Sequence, residues 1–528
     1  MHDLDGGPNC GHNYFARFTN AVLQRQKGIR RLIALRFLYL GKIFAKMSKN
    51  SPKRVSLIVA FSPLLFLIGL LAFNIYFFKD DATGGANQIA LLLAAGVAAF
   101  IGKRLGYSWS KMQKGVVKSL KSAMSAILIL LMIGALSGTW MISGIVPTMI
   151  YYGLEILNPT IFLLAACIVS AIVSLATGSS WSTVATVGVA LLGVGVALGL
   201  SEGMVAGAII SGAYFGDKMS PMSDTTNLAP AMAGTDLFTH IKYMAYTTFP
   251  SIGITLIIFL ILGLNTDAQG SQEQVETMMT ALQESFYISP VLFLVPVAVI
   301  LLIVKKMSAL PALFIGSLLG GVFAIIFQPE LVQTIAGETQ NYAEAAYITL
   351  FQSMSNAVSI DSSNQAVSDL LSTSGMFGMM NTIWLVICAM TFGGVLEVTG
   401  ILHRITQSIV KGVHSTGSLI AATVGTCLFF NTTASDQYLA IVVPGKMFAE
   451  TYEERGLAPE NLSRTLEDSG TVTSVLIPWN TCGATQSTVL GVATGEYWMY
   501  CFFNLISPVM TLTFGYLNIK IRKLKKED

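Results

Sequence analysis

Long runs of apolar residues recur along the chain from residue 55 almost to its C-terminal end. A helix that crosses a bilayer needs about 20 mostly apolar residues. Ten runs approach this length: 55–78, 86–102, 122–144, 160–177, 241–264, 289–304, 308–328, 379–400, 417–430 and 497–518. Two further stretches, 178–236 and 431–494, are apolar but interrupted by Gly, Pro, Ser and Thr. The pattern predicts an all-α integral membrane protein with about 10–12 transmembrane helices plus broken or re-entrant helices.

The composition narrows the class of protein further. Hydrophobic types make up 53% and charged types 12% of the 528 residues, whereas charged residues are about 25% of an average soluble protein. A soluble enzyme, a nucleic-acid-binding protein and a disordered regulator are therefore excluded. The six cysteines form no C-x-x-C pair, so we expect no disulfide framework, zinc site or haem cofactor. The absence of a Walker motif excludes an ATP-driven pump.

The positions of Lys and Arg orient the predicted spans. The basic segments are 17–54, 103–121, 305–306, 403–411 and 519–528, whereas the loops 265–288 and 329–378 carry acidic residues and no Lys or Arg. Basic loops remain in the cytoplasm, so both termini are predicted to be cytoplasmic in a multi-pass protein of the cell inner (plasma) membrane. No cleavable signal peptide is expected, because no short basic end precedes a small-residue cleavage site.

An internal repeat is visible when the chain is shifted by 257 residues. The shift aligns Gly188 with Gly445, Gly199 with Gly456, Pro221 with Pro478, Gly234 with Gly491 and Tyr243 with Tyr500. The first copy follows a loop predicted to be external, and the second follows the basic Lys411, so the copies would enter the membrane from opposite sides. This predicts two inverted-topology repeats with a binding site between broken helices.

The repeat divides the chain into five predicted segments. They are a basic cytoplasmic extension (1–46), a first transporter half (47–264), an external loop (265–288), a second transporter half (289–518) and a basic cytoplasmic tail (519–528).

The stretch 206–230 is the most unusual part of the sequence. It places Asp217, Lys218 and Asp224 in an apolar region, where each ionisable residue costs about 2.5–3.5 kcal/mol on insertion scales. The neighbouring polar residues are Ser220, Thr225, Thr226 and Asn227. Oxygen-bearing side chains and unwound carbonyls suit a dehydrated hard cation such as Na⁺. The alternative interpretation is a cytoplasmic loop that is merely apolar in composition.

Three other polar stretches interrupt apolar runs. The first, 178–188, contains Ser179 and Thr183; the second-half stretches contain Asn431, Thr433, Asp436, Glu467, Asp468 and Asn480. At the repeat offset Asp436 falls opposite Ser179. All of these except Glu467 join the candidate ion site, although ordinary packing of small residues explains single hydroxyls equally well.

Several motifs carry a family resemblance. GAIISGAYFGDKMSPMSDTTNLAPAMAGTDLFTHIKYM, LEDSGTVTSVLIPWNTCGATQ, SGTWMISGIVPTMIYYGL and FGGVLEVTG resemble stretches of the NhaC-type Na⁺/H⁺ antiporters of the ion transporter superfamily. The resemblance runs from Met47 to Leu517. It implies Na⁺ as cargo and a pathway lined by Asp217, Asp224 and their neighbours. Members of the same build also exchange organic acids such as malate and lactate, so the counter-substrate stays open.

The resulting hypothesis is a secondary Na⁺/H⁺ antiporter rather than an enzyme. A carboxylate among Asp217, Asp224 and Asp436 would bind either H⁺ or Na⁺, with Li⁺ as an alternative ion, while the two halves rock and Lys218 compensates charge. Two alternatives stay open: a Na⁺-coupled organic-acid exchanger, and more remotely an intramembrane aspartyl protease. The expected partners are the lipid bilayer and the ions, without nucleic acid; a homo-oligomer is left open.

Overall fold

The computed structural model describes residues 55–78, 84–156, 158–266, 272–337, 341–360, 362, 368, 371–410 and 413–524. The predicted extension 1–46 and the basic segment 17–54 lie outside the described residues. Within the described part, the chain is helical apart from loops and one antiparallel pair of two-residue strands, β1 and β2 (Val358–Ser359 and Ser372–Thr373). The all-α class is therefore confirmed.

The first half contains nine helices in the described residues. They are α1 (Leu57–Phe78), α2 (Ala86–Arg104), α3 (Trp109–Ile142), α4 (Ile145–Ile156), α5 (Pro159–Thr177), α6 (Ser180–Ala197), α7 (Glu202–Met219), α8 (Asp224–Ala233) and α9 (Leu237–Asn265). Gly178 ends α5 in a left-handed conformation (φ 70°), and a π-helical turn at Val184–Gly188 lies inside α6. Breaks therefore separate α5 from α6 and α7 from α8, where the sequence predicted interrupted helices.

The rest of the described chain adds thirteen helices. They are α10 (Gln272–Ser285), α11 (Leu294–Val304), α12 (Ala309–Phe327), α13 (Pro329–Ala336), α14 (Tyr342–Ser355), α15 (Gly375–Val398), α16 (Ile401–Val410), α17 (Thr416–Thr433), α18 (Gln437–Glu454), α19 (Pro459–Leu466), α20 (Thr481–Leu490), α21 (Thr494–Tyr497) and α22 (Phe502–Tyr516). A π-helical turn (Glu467–Thr471) and a 3₁₀ turn (Ser474–Leu476) follow α19.

Eight helices in the described residues are long and apolar enough to cross a membrane. A ninth span results if the segments Val275–Ser285 and Pro290–Val304, which meet at 84°, are counted together. This number is below the about 10–12 spans expected from the length of apolar runs. The difference lies in the second half, where α17 carries many polar residues and α22 has only 15 residues.

The internal repeat is visible in the helix boundaries. The first residues of α5, α6, α7 and α8 lie 257 positions before those of α17, α18, α19 and α20 (159 and 416, 180 and 437, 202 and 459, 224 and 481). The turn that follows the first helix of each copy contains a left-handed residue, Gly178 (φ 70°) and Ser435 (φ 58°). The two copies therefore share one order of helices and breaks.

Equivalent helices of the two halves run in opposite directions. The Phe259 ring of α9 packs 5.1 Å from the Phe502 ring at the start of α22. At the other end of α9, the Tyr243 hydroxyl donates to the backbone oxygen of Lys520, which follows α22. The pair α3 and α15 is antiparallel in the same way. These contacts establish the inverted topology of the repeats.

The distribution of side chains is the reverse of that in a soluble protein. Large apolar residues face outward; Ile58 and Phe77, for example, are 85% and 69% exposed. Charged residues such as Lys218, Arg464 and Asp468 are fully buried. This pattern fits a molecule whose outer surface contacts lipid and whose polar chemistry lies between its helices.

The segment after α22 links the two halves at their basic edge. The Arg522 guanidinium donates to the Glu460 carboxylate at 2.6 Å, and this hydrogen bond raises the pKa of Arg522 above its usual value. In the second half, the backbone oxygen of Arg522 accepts hydrogen bonds from Ala458 and Asn461. In the first half, the Tyr243 hydroxyl oxygen accepts a hydrogen bond from the Arg522 backbone N–H. The C-terminal strap (residues 517–524) thus contacts both halves.

Candidate functional site

A cavity of about 710 Å³ lies where the helix breaks of both halves meet. Its charged lining residues are Asp217 and Asp224 from the first half, Asp436 from the second half, and Lys306. Other lining residues come from α3, between residues 122 and 129, and from the segment between residues 303 and 309. Three carboxylates predicted from the sequence therefore share one cavity, whose formal charge is negative.

Asp217 accepts more side-chain hydrogen bonds than the other two carboxylates. Its side chain is 9% exposed, and Oδ2 accepts from the Ser180 backbone N–H at 3.1 Å and from the Ser180 hydroxyl at 2.7 Å. Ser180 begins α6, and helix N-termini favour negative groups. The close crossing of α5 and α7 makes this contact feasible: a Cβ at Gly212 would lie 2.0 Å from the Cys167 carbonyl oxygen.

Asp224 and Asp436 lie at the starts of two helices. Asp224 is the first residue of α8 and is exposed toward the cavity. Asp436 is 2% exposed and caps α18, because its Oδ1 accepts from the Leu439 backbone N–H at 2.9 Å. Ser179, its counterpart at the repeat offset, caps α6 by accepting from the Ser182 N–H. Equivalent breaks therefore present a carboxylate in one half and a hydroxyl in the other.

Lys218 points away from this cavity. Its ammonium forms an ion pair with Asp468, and both side chains are 0% exposed. Ser507 lies 3.0 Å from the ammonium, and the Thr247 hydroxyl donates to the other oxygen of Asp468 at 2.8 Å. The structure thus places Lys218 and Asp468 together, across the interface of the two halves, and places neither among the cavity-lining residues.

Four further first-half candidates lie at the cavity wall or in the hairpin formed by α7 and α8. Ser179 and Thr225 line the cavity. The Thr226 hydroxyl donates to the backbone oxygens of Asp217 and Lys218, at 3.2 and 3.0 Å. Ser220 is buried in the turn between α7 and α8. Thr226 and Ser220 therefore hold the shape of the hairpin.

Five other candidates make structural hydrogen bonds. The Thr183 hydroxyl donates to the Ser179 oxygen, and the Thr433 hydroxyl donates to the Phe429 oxygen. Asn227 is exposed, and its amide donates to backbone oxygens of its own turn. Asn480 caps α20 and also donates to Asn431. Asn431 in turn donates to the Gly470 oxygen at 2.7 Å, which fixes the π-helical turn after α19.

Two residues outside the predicted set are closely connected to the site. Ser180 supplies both donors to Asp217, although the sequence favoured the neighbouring Ser179. Glu467, seen only as part of a polar run, is fully buried and accepts from the Thr225 hydroxyl at 3.0 Å. A helix-start pattern after Gly178 could have identified Ser180. The contact of Glu467 joins positions 242 residues apart, which no local pattern reveals.

The three aspartates line a common space without converging on one point. Among the described residues, no group of three or more His, Cys, Asp or Glu side chains is arranged to hold a metal ion. The arrangement therefore differs from a closed metal centre. It is an acidic cavity in which one carboxylate, Asp217, is fixed by hydrogen bonds at the N-terminus of α6. Such a cavity can attract and bind a small cation.

Comparison with known proteins places the chain in a family. A model of the Na⁺/H⁺ antiporter family matches residues 212–519. The chain is 39% identical to the Na⁺/H⁺ antiporter NhaC of Alkalihalophilus pseudofirmus, over 83% of this chain and 91% of the relative. It is 33% identical to NhaC of Bacillus subtilis, over 89% and 99%. It is also 35% identical to the malate-2H⁺/Na⁺-lactate antiporter of Bacillus subtilis, over 81% and 89%. The chain belongs to the Na⁺/H⁺ antiporter family and is a multi-pass membrane protein.

Proposed function

We propose that this protein is a secondary transporter that exchanges cytoplasmic Na⁺ for external H⁺, by competition of the two ions for Asp217. The observation that supports this proposal is the shared cavity that contains Asp217, Asp224 and Asp436. Ionisable residues at membrane depth mark ion pathways and proton relays. A carboxylate that takes up a proton gives up its Na⁺, so each ion would leave as the other binds.

The two donors of Ser180 give Asp217 a fixed position. Both bonds reach Oδ2, and the side chain still lines the cavity. Asp436 and Asp224 would add negative potential and further oxygen ligands from the other walls. In this arrangement Asp217 is the exchanging group, and the other two aspartates raise the local concentration of Na⁺.

The same cavity suggests an orientation. Lys306 lies at its wall, together with residues 122–126, which follow the basic segment 103–121. Basic residues collect on the cytoplasmic side. We therefore propose that the cavity is open to the cytoplasmic side of the cell inner (plasma) membrane and that both termini lie on that side.

Exchange of an organic acid is the second candidate, because one relative is named a malate-2H⁺/Na⁺-lactate antiporter. The charges disfavour it in this chain. The cavity offers three carboxylates and one lysine, and Lys218, the other cation considered for an acid, is paired with Asp468. We expect labelled malate and lactate to show no Na⁺-dependent uptake into vesicles. An intramembrane aspartyl protease has no support among the relatives, which are named as antiporters.

The decisive experiment measures Na⁺-induced proton release in inside-out vesicles after a pH jump. Asp217→Asn should abolish the release, because an amide neither binds a proton nor balances Na⁺. Asp236→Asn is the matched control: Asp236 caps α9 outside the cavity, and Asn caps helices equally well. Full proton release by Asp217→Asn, at normal protein levels, would contradict the proposal.

A further inference from the structure

The buried ion pair of Lys218 and Asp468 has the composition of a second cation site. Around the ammonium lie a carboxylate oxygen of Asp468, the Ser507 hydroxyl at 3.0 Å and the ring of Phe503 at 5.6 Å. Ser507 is also 3.3 Å from Asp468 Oδ1, and Thr247 contacts Oδ2. Carboxylate and hydroxyl oxygens are the ligands that a hard cation such as Na⁺ takes.

This pair lies apart from the cargo cavity. Asp217 lines the cavity, but the next residue, Lys218, does not, because adjacent helical residues point in different directions. Both partners are 0% exposed. An ion that enters the cavity therefore reaches Asp217 without contacting Asp468.

Stability of the fold does not explain the pair. Buried ion pairs are often no more stabilising than apolar residues of similar size. At the repeat offset, Lys218 corresponds to Val475 and Asp468 to Ser211, both fully buried. The other copy thus builds the equivalent elements without these charges, so the pair is a specific feature of one side of the interface.

We propose that the ammonium of Lys218 is a tethered cation that permanently fills a second Na⁺-type site, built from Asp468, Ser507 and Thr247. Asp468 is then withheld from cargo, and only the cavity site binds exchangeable Na⁺. Because the Lys218 ammonium occupies this second site, the protein carries fewer Na⁺ ions than it has sites of this type. The inference rests on the proposed function only where it assumes that the cavity binds Na⁺. The second site is defined by the contacts of Lys218 and Asp468 and does not depend on that assumption.

Equilibrium binding of ²²Na⁺ to the purified full chain in detergent tests the inference. Wild type should bind one Na⁺ per protein. Lys218→Ser removes the ammonium and should bind two, and the matched double variant Lys218→Ser/Asp468→Asn should bind one again. A count for Lys218→Ser no higher than that of wild type would overturn the inference, as would a count of two for wild type.

A second variant covers the case in which Lys218→Ser fails to fold, because a lone buried carboxylate is costly. Lys218→Met/Asp468→Asn leaves no net charge in the site. It should retain one Na⁺ and wild-type exchange within about threefold; loss of Na⁺ binding would show that Asp468 is a cargo ligand and overturn the inference. The proposed function fails separately: wild type would then bind no Na⁺, while Lys218→Ser would bind one if the tethered site exists.

Discussion

At the scale of single residues, Asp436 combines two roles that can be separated. Its carboxylate caps α18 through the Leu439 N–H and also lines the cavity with Asp217. Asn keeps the capping geometry and removes the charge, whereas Ala removes both. The comparison therefore tells a structural carboxylate from one that contributes to ion binding.

For Asp436→Asn we expect a normally folded protein whose Na⁺ concentration for half-maximal exchange rises about tenfold, which corresponds to about 1.4 kcal/mol. Asp436→Ala should show the same kinetic defect and a loss of stability of about 1 kcal/mol. Exchange assays at several Na⁺ concentrations and thermal melts in detergent measure the two effects. If Asp436→Asn has wild-type Na⁺ dependence, Asp436 is a helix cap and nothing more.

At the scale of elements, the close crossing of α5 and α7 determines where Asp217 lies. Glycines form the contact: a Cβ at Gly212 would lie 2.0 Å from the Cys167 oxygen, and one at Gly216 would lie 2.4 Å from the Ala171 oxygen. Both close contacts are to backbone atoms, which cannot move aside as a flexible side chain can. A methyl group at Gly212 must therefore push the two helices apart.

Gly212→Ala should lose about 1–3 kcal/mol of stability, as overpacked cores do, and should lose most exchange activity because Asp217 moves away from Ser180. Gly425→Ala is the matched control. Gly425 lies in α17 with nothing within 4 Å of an added Cβ, so Ala should leave stability unchanged or raise it by about 0.5–1 kcal/mol. Melting temperature and proton release would be compared side by side. Equal behaviour of the two variants would refute this account of the crossing.

The elements also show what the sequence can and cannot predict. Apolar runs and Gly-Ser or Pro breaks predicted the helices and interruptions, because both depend on local chemistry. The offset of 257 residues predicted the repeat from few identities, and the helix starts reproduce it. The contact of Lys218 with Asp468 joins residues 250 positions apart and depends on how helices pack. Residue patterns therefore identified the cavity aspartates but gave no partner for Lys218.

At the scale of the whole molecule, the contacts argue against simple rocking of one half on the other. α8 of the first half packs on α18 of the second, and reciprocally α20 packs on α6. The pair Lys218–Asp468 and the C-terminal strap add buried links between the halves. Separating the halves in every cycle would leave Lys218 and Asp468 as buried charges without partners, and breaking a buried pair in this way costs about 3–5 kcal/mol. The helices α5–α9 and α17–α22 therefore form one interlocked body.

A second body is centred on α3, which packs against α12, α14 and α15, whereas α4 packs on both α3 and α6. Both bodies line the cavity: residues from 122–129 and 303–309 belong to the second body, and the helix breaks with the aspartates belong to the first. A movement between these bodies would carry the ion site past α3 without breaking the links between the halves. Transport should therefore depend on freedom at this boundary.

Cross-linking can locate the moving boundary. A cleavable thiol reagent that joins Ser125→Cys on α3 to Phe238→Cys on α9 spans the two bodies across the cavity, and it should abolish Na⁺-dependent proton release until reduction restores it.

As control, Tyr246→Cys and Lys520→Cys join the two halves within one body, where the Lys520 ammonium lies 4.9 Å from the Tyr246 ring. That link should leave transport intact, because these groups move together. The five native cysteines in the described residues are buried, and Cys10→Ser removes the remaining one. If the control link stops transport and the cavity link does not, the two halves move against each other after all.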